Sequence, residues 1–404
     1  MKVLLFTNLY PSLREPTRGL FNLNKFRALA ERCEVRAVVP VPAWKRISHP
    51  MDLLRPVAEA WDGIRATYPS YLAVPRVAPQ WHAEGMYQSV RSHVRKLHGE
   101  FPFDVIISVF AYPDVVAAAR LAEDMSCPLV AIVVGSDMNE LARMPALRGR
   151  IRGALLQASS VIAVSRGLRD KVVELGIPAN RIVVQHNGVD GERFVIRDRL
   201  ETRRGLGLPE DVPLVCCVGN LVPEKGPDIL VEAVGRFDVA GLARARVVFI
   251  GDGRLSTVLV ARAAALGVGE RCSFLGRLPP DEVALWLSAS DVLCLPSRRE
   301  GCPNVVLEAL AAGRPVVAAA VGGVPELLDE RNGVLVPPDD PSALASAIGA
   351  VLQRAWDPAA LRATVGSLSW HEVARTVYRV LDHAVGTGRQ ARYTADSNQP
   401  IKGT

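Results

Sequence analysis

The chain has 404 residues, more than one hydrophobic core usually organises, and its 49% hydrophobic and 22% charged content excludes a disordered or fibrous protein. Its net charge of +6 is carried by the first half: residues 1–190 hold 24 Lys/Arg against 17 Asp/Glu, a balance of +7, and the remainder holds 24 against 25. Such a basic half attracts phosphates or anionic lipid headgroups; with no aromatic-studded platform or reading helix, nucleic acid is set aside as a partner.

In chain order, MKVLLFTNLY reads as a buried first strand rather than a signal peptide, and no run approaches the ~18 apolar residues of a spanning helix. Gly19 then precedes the helical LFNLNKFRALA, so its amides are placed to meet a ligand. Further strands are expected near 34–40, 104–108, 128–134, 160–164 and 181–185, with helices between them, the signature of βαβ units and a parallel sheet. The proline-rich stretch 41–82, with Trp44, Trp61, Tyr68 and Tyr71, breaks this rhythm and reads as an irregular insertion shaping a pocket wall. Over 83–101, Met86, Val90, Val94 and Leu97 share one face of an amphipathic helix, with Arg91, Arg95 and Lys96 on others; contact with an anionic membrane is its alternative use. Asp137, in the GSDMN loop after a strand, is placed either to hydrogen-bond a sugar or acceptor or to cap the next helix, and Ser165 with Arg166 invite the same double reading. His186 in HNGVD reads as a structural hydrogen-bonding residue beside a turn. The charged, Gly- and Pro-rich stretch 188–212 is the expected hinge between domains 1–190 and 191–368.

Strands near 213–219, 245–250, 271–276, 291–295, 315–319 and 333–336 repeat the scheme. In VGNLVPEKGPDIL a strand ends in Gly219, followed by Asn220, Lys225 and a helix start, a phosphate cradle whose bland counterpart is a surface lysine at a turn. Gly251 marks the FIGDG turn, and main chain around Arg277 and Leu278 in FLGRL is suited to reading a nucleobase edge, although packing glycines alone also explain such turns. A fourth glycine loop is VGGVPELL. The sharpest constellation is PSRREGCPNVVLEALAAG: Pro303 fits a first helical turn and Gly313 a stop, so a helix starts near Asn304 with its positive dipole end free for a diphosphate. Glu300 lies before this helix and Glu308 inside it, so the two carboxylates grip different parts of one ligand, each accepting hydroxyl hydrogen bonds. The seven dispersed histidines and the absence of a DxD pair give no metal site, and seven cysteines without a C-x-x-C pair suit reduced thiols in a cytosol.

Glu300 and Glu308 form an E-x7-E pattern which, with VGNLVPEKG, FIGDG, FLGR and VGGVPELL in order, resembles the family 4 retaining glycosyltransferases. The opening NLYPSLREPTRGLF and the GSDMN loop are similar to bacterial teichuronic-acid and exopolysaccharide transferases. The resemblance implies an α/β GT-B fold, two Rossmann-like parallel-sheet domains facing a cleft. The first would bind the acceptor and receive a crossing helix at 369–385, the second would bind the donor, and 386–404 would be a disordered tail. Carried over by position, Lys225 contacts the donor phosphates, Glu308 the ribose, and Glu300 with main chain from Gly301 through Asn304 to Val305 the sugar and diphosphate, while Gly19 lies on the acceptor side. Asn220 stands where the family usually has Arg, and Val134 where many members have His, which throws weight onto Asp137. The implied reaction is transfer from a nucleotide-diphosphate sugar, without cofactor or metal, to a glycan or lipid-linked acceptor, in the cytoplasm or at the inner face of the plasma membrane. A catalytically inactive nucleotide-sugar-binding homologue and a nucleotide-sugar epimerase are the competing readings.

Overall fold

A computed structural model describes residues 1–46, 56–73, 78–237 and 242–397. The chain divides into two compact units, Met1–His186 with Trp370–Thr404, and Asn187–Ser369.

The first unit is built on strands β1 (Lys2–Phe6), β2 (Glu34–Val38), β3 (Val41–Pro42), β4 (Val57–Trp61), β5 (Ile64–Tyr68), β6 (Ser70–Tyr71), β7 (Val105–Val109), β8 (Leu129–Val133), β9 (Ser160–Ala163) and β10 (Ile182–Val184). Eight form one sheet in the order β10-β9-β8-β7-β1-β2-β5-β4, parallel except for β4 against β5. Runs such as VIISV and LVAIV are buried along their whole length, as strands covered by helices on both faces must be. The stretch expected to be an irregular insertion instead extends the sheet: Asp62 and Gly63, both with positive φ, turn β4 back onto β5. Residues 47–55 and 74–77, which fall within that expectation, lie outside the described residues. The amphipathic helix forms at His82–Glu100 with Met86, Val90, Val94 and Leu97 buried. The last helix, Trp370–Ser397, packs Val373, Ala374, Val377 and Leu381 inside this unit, with His371 Nε2 3.2 Å from Glu31. It runs past the expected limit at 385, so 386–397 is helix rather than tail; residues 398–404 lie outside the described residues.

The second unit holds β11 (Leu214–Val218), β12 (Arg246–Ile250), β13 (Cys272–Phe274), β14 (Val292–Leu295), β15 (Val316–Ala319) and β16 (Gly333–Val336) in one all-parallel sheet of order β13-β12-β11-β14-β15-β16. Helices Pro227–Val234 and Pro341–Gln353 bury Leu230, Val234, Leu344 and Ile348 on one face; Pro280–Ala289 and Asn304–Ala311 bury Leu287, Val306 and Leu310 on the other. The strand order reverses between β11 and β14, and ligands of such open sheets bind outside the carboxyl ends of the strands at that point. The charged stretch expected to be the hinge begins next to the division between the two units, and its later part is pinned to the second. Arg203, 1% exposed, donates to the carbonyls of Ala289 (2.8 Å), Glu210 (2.9 Å) and Val212 (2.9 Å) and to Asp291 (2.7 Å).

Candidate functional site

The topological reversal decides which loops meet in the second unit. The loop after β11 ends in a turn, Pro223–Lys225, and the loop after β14 leads into helix Asn304–Ala311. Lys225 Nζ donates to both Glu300 oxygens, at 2.7 and 2.8 Å, and Ser297 Oγ donates to Glu300 Oε1 at 2.7 Å. Glu300 is 6% exposed, so its carboxylate is held in one orientation by charge-assisted bonds. Glycines make these close approaches possible. Gly226 has φ 61°, and a Cβ there would overlap the carbonyl oxygen of Pro296; Gly322 has φ 56°, and a Cβ there would overlap that of Glu300. Gly219 and Gly251, at the ends of β11 and β12, are packed backbone to backbone, which fits the packing explanation of these turns.

Helix Asn304–Ala311 starts where the sequence places it, with Pro303 at the cap position and no side-chain cap bond. Its first turn thus presents amides and a positive dipole end beside Glu300, with Gly301 N-terminal to it and Val305 half-buried in that turn. Asn187, not singled out in the sequence, fixes this start: its Nδ2 donates to Asn304 Oδ1 (2.8 Å) and Cys302 O (3.2 Å), and its amide to Cys302 Sγ (3.4 Å). Only its place in the HNG turn signalled it, next to His186. Glu308 is half-buried, and its main-chain carbonyl accepts the Ala312 amide at 3.0 Å. Burial pushes its carboxyl up to about 7, opposed by the Arg193 guanidinium and assisted by Asp190.

Cations around the loops are unequally engaged. Arg298 is locked: its guanidinium donates to both Asp228 oxygens (2.9 and 2.6 Å), to Asp339 (2.6 Å) and to Pro223 O (2.7 Å). Arg254 and Arg299 both reach Glu224 Oε1, at 3.3 and 3.4 Å. Asn220 and Arg277 are exposed, whereas Leu278 packs against the core and is only partly accessible.

The remaining sequence candidates belong to the first unit. Gly19 has φ 65° and sits against Leu9 O, with its own carbonyl accepting the Asn22 amide of helix Leu20–Ala30 at 2.8 Å. Asp137 is fully buried and its oxygens accept from the amides of Ala111 (3.0 Å), Val134 (3.2 Å), Gly135 (2.8 Å) and Met138 (3.0 Å). This corrects its reading as a sugar or acceptor ligand: a carboxylate saturated by its own backbone staples the loop. Ser165 likewise caps helix Arg166–Glu174 by accepting from Leu168 N at 3.3 Å, and Arg166 is exposed at its start. Asp114, in YPDV after β7, carries no motif that marks it in the sequence. Its Oδ1 accepts the Asn8 amide, its Oδ2 has no partner among the described residues, and burial raises it to about 8. Among the described residues no three His, Cys, Asp or Glu side chains are grouped to hold a metal ion, and no helix is long and apolar enough to cross a membrane.

Comparison with known proteins adds an independent line. Residues 23–193 match the model of Glycosyltransferase Family 4 and residues 212–354 that of Glycosyl transferases group 1. The chain is 30% identical over 419 residues to the putative teichuronic acid biosynthesis glycosyltransferase TuaC of Bacillus subtilis, covering 100% of both chains. It is 35% identical over 274 residues to the D-inositol 3-phosphate glycosyltransferase of Geodermatophilus obscurus, covering 64% of this chain and 60% of that one. Among solved structures it is similar to Anabaena Alr3699/HepE in complex with UDP (TM-score 0.73, 20% identity, 95% of this chain and 100% of that one). A similar likeness links it to sucrose-phosphate synthase of Thermosynechococcus elongatus (TM-score 0.71, 20% identity, 98% and 99%). At such identity these structures establish the GT-B fold.

Proposed function

The chain belongs to the family 4, group 1 glycosyltransferases, and from that premise we propose that it is a retaining enzyme moving a sugar from a nucleotide-diphosphate donor to a lipid-linked or polysaccharide precursor. One observation carries the reading: an ammonium gripping a buried carboxylate, Lys225 on Glu300, beside the uncapped first turn of helix Asn304–Ala311 at the strand-order reversal. In this reading the helix amides and Lys225 take the donor diphosphate, Glu300 the sugar hydroxyls and Glu308 the ribose. The bond from the anomeric carbon to the diphosphate breaks and one to the acceptor oxygen forms on the same face. The acceptor proton leaves on the nucleoside diphosphate. Preorganised donors aimed at the departing oxygens supply the main catalytic effect, and no metal is required. The HepE complex with UDP and the TuaC likeness support donor class and biosynthetic context.

The acceptor is assigned to the first unit, which works from the cytoplasmic side against an anionic membrane. Helix Pro145–Gln157 carries Arg148, Arg150 and Arg152 and no acidic residue, and the Arg150 guanidinium lies 5.3 Å from the ring centre of Trp81, itself 58% exposed. The test is incubation with a panel of nucleotide sugars and membrane-derived acceptor, read by mass spectrometry and by the anomeric configuration of the product. Transfer with retention is expected; free nucleoside diphosphate without a glycosylated product, or an epimerised donor, would overturn the assignment.

A further inference from the structure

The donor diphosphate in the reading above brings two or more negative charges, yet the groups nearest its site offer little free positive charge. Lys225 is matched by Glu300. Arg298, which follows Ser297 in the same loop, is matched by Asp228 and Asp339. Asn220, in the loop after β11, is neutral. Arg299, next in that loop, reaches Glu224 at 3.4 Å, so a cation free to move onto the diphosphate is sought on the neighbouring loop that also reaches Glu224.

Main-chain contacts single out which loop. The segment after β12 is clipped to the one after β11 on both sides of Arg254: the Leu221 amide donates to Asp252 O (3.0 Å) and the Leu255 amide to Leu221 O (3.0 Å). Gly253, lying between them, has no room for a Cβ against Leu221 O. The backbone of Arg254 is thus fixed next to the stretch that contains Asn220. Its side chain is not fixed. Arg254 is 66% exposed and is held by a single 3.3 Å contact to Glu224, one residue before Lys225, whereas Arg298 makes four shorter bonds. A guanidinium on a flexible stem, beside the lysine of the phosphate loop and weakly restrained, is free to exchange one carboxylate for a planar phosphate that it pairs with bidentately.

We propose that Arg254 supplies the second positive charge on the donor diphosphate, delivered from the β12 loop and parked on Glu224 when no nucleotide is bound. This rests on the nucleotide-sugar reading of the same site. It assigns to the FIGDGR turn a direct part in phosphate binding, in addition to its packing against Gly219.

Calorimetric titration of the full chain with UDP, GDP and ADP, and with the corresponding nucleosides, tests the assignment. For whichever diphosphate the wild type binds, Arg254→Ala is expected to weaken affinity about tenfold and to flatten its salt dependence, while affinity for the nucleoside stays within about twofold. Arg254→Lys should retain part of the affinity, and Asn220→Arg placed in the Arg254→Ala background should recover it, since the charge then enters from the adjacent loop. Unchanged diphosphate affinity in Arg254→Ala, or equal loss of diphosphate and nucleoside, removes the assignment while leaving the wild-type reading standing. A wild type that binds none of the three diphosphates overturns the nucleotide-sugar reading itself.

Discussion

Removing the ammonium of Lys225 takes away the cation that both Glu300 oxygens grip and, in the proposed reaction, a stabiliser of the departing diphosphate. We predict that Lys225→Ala lowers turnover by about 10²–10³ and also lowers the melting temperature, because the Glu300 carboxylate is buried. Adding Glu300→Gln should restore the melting temperature and leave turnover low. Glu308 gives a second, pH-dependent outcome. Its carboxyl is raised from 4.5 to about 7, so the folded protein favours the protonated form, and the stability it contributes is present below 4.5 and lost as pH rises through 7. Urea melts of Glu308→Gln should match wild type near pH 4 and show a gain of about 2 kcal/mol near pH 8; a gain confined to low pH would contradict this sign. Nucleotide affinity of the wild type should rise from pH 6 to 8 as the carboxylate ionises to accept ribose hydroxyls. The helix start at Asn304, with Glu300 before it and Glu308 inside it, and the turn that carries Lys225 were readable in the sequence because each lies within a few residues of the glycine, proline or strand that positions it. Asn187 was not, since its partners lie 115 and 117 residues away, and neither was the capture of Arg298 by Asp228 across 70 residues. Asp137 could be placed at a strand end from sequence, but its saturation depends on where four amides of two loops point.

At the level of strands and turns, the glycine loops do more than allow tight bends: they let neighbouring strand ends approach until one main chain touches another. Gly322 shows the consequence most directly, because its left-handed backbone and contact with Glu300 O leave no space for a methyl group. Gly322→Ala should cost about 2 kcal/mol in stability from conformation and overlap together, and it should weaken donor affinity by displacing the loop that carries Glu300. Thermal melts with a parallel nucleotide titration check both; a variant that loses stability alone would place the loop contact outside the site. The parallel strands were legible because apolar runs of four to six residues recur between helical segments. The β4–β5 hairpin was not, although its Asp62-Gly63 pair is a turn signal, because proline-rich sequence surrounds two short strands, β4 alternating half-buried with exposed residues and β5 buried with more accessible ones. Charge density around Arg203 suggests a linker, yet its guanidinium satisfies four carbonyls and a carboxylate in the interior.

For the molecule as a whole, the uneven charge is plain in the sequence, and the proposed membrane contact rests on it. Vesicle sedimentation should retain the protein on phosphatidylglycerol-containing membranes and not on neutral ones, with release as salt is raised. Arg148→Glu combined with Arg150→Glu should abolish retention, while binding to neutral vesicles that salt does not affect would point to apolar insertion instead. The final helix, Trp370–Ser397, has a different implication. It completes the interior of the unit that begins at Met1, so the Asn187–Ser369 unit is an interruption in the chain of its partner. During synthesis the ribosome therefore produces the second unit whole, able to close its sheet, while the first waits with its surface around Leu20–Ala30 uncovered. The half translated first is the last to be finished, and that interval is when a chaperone has most reason to hold it.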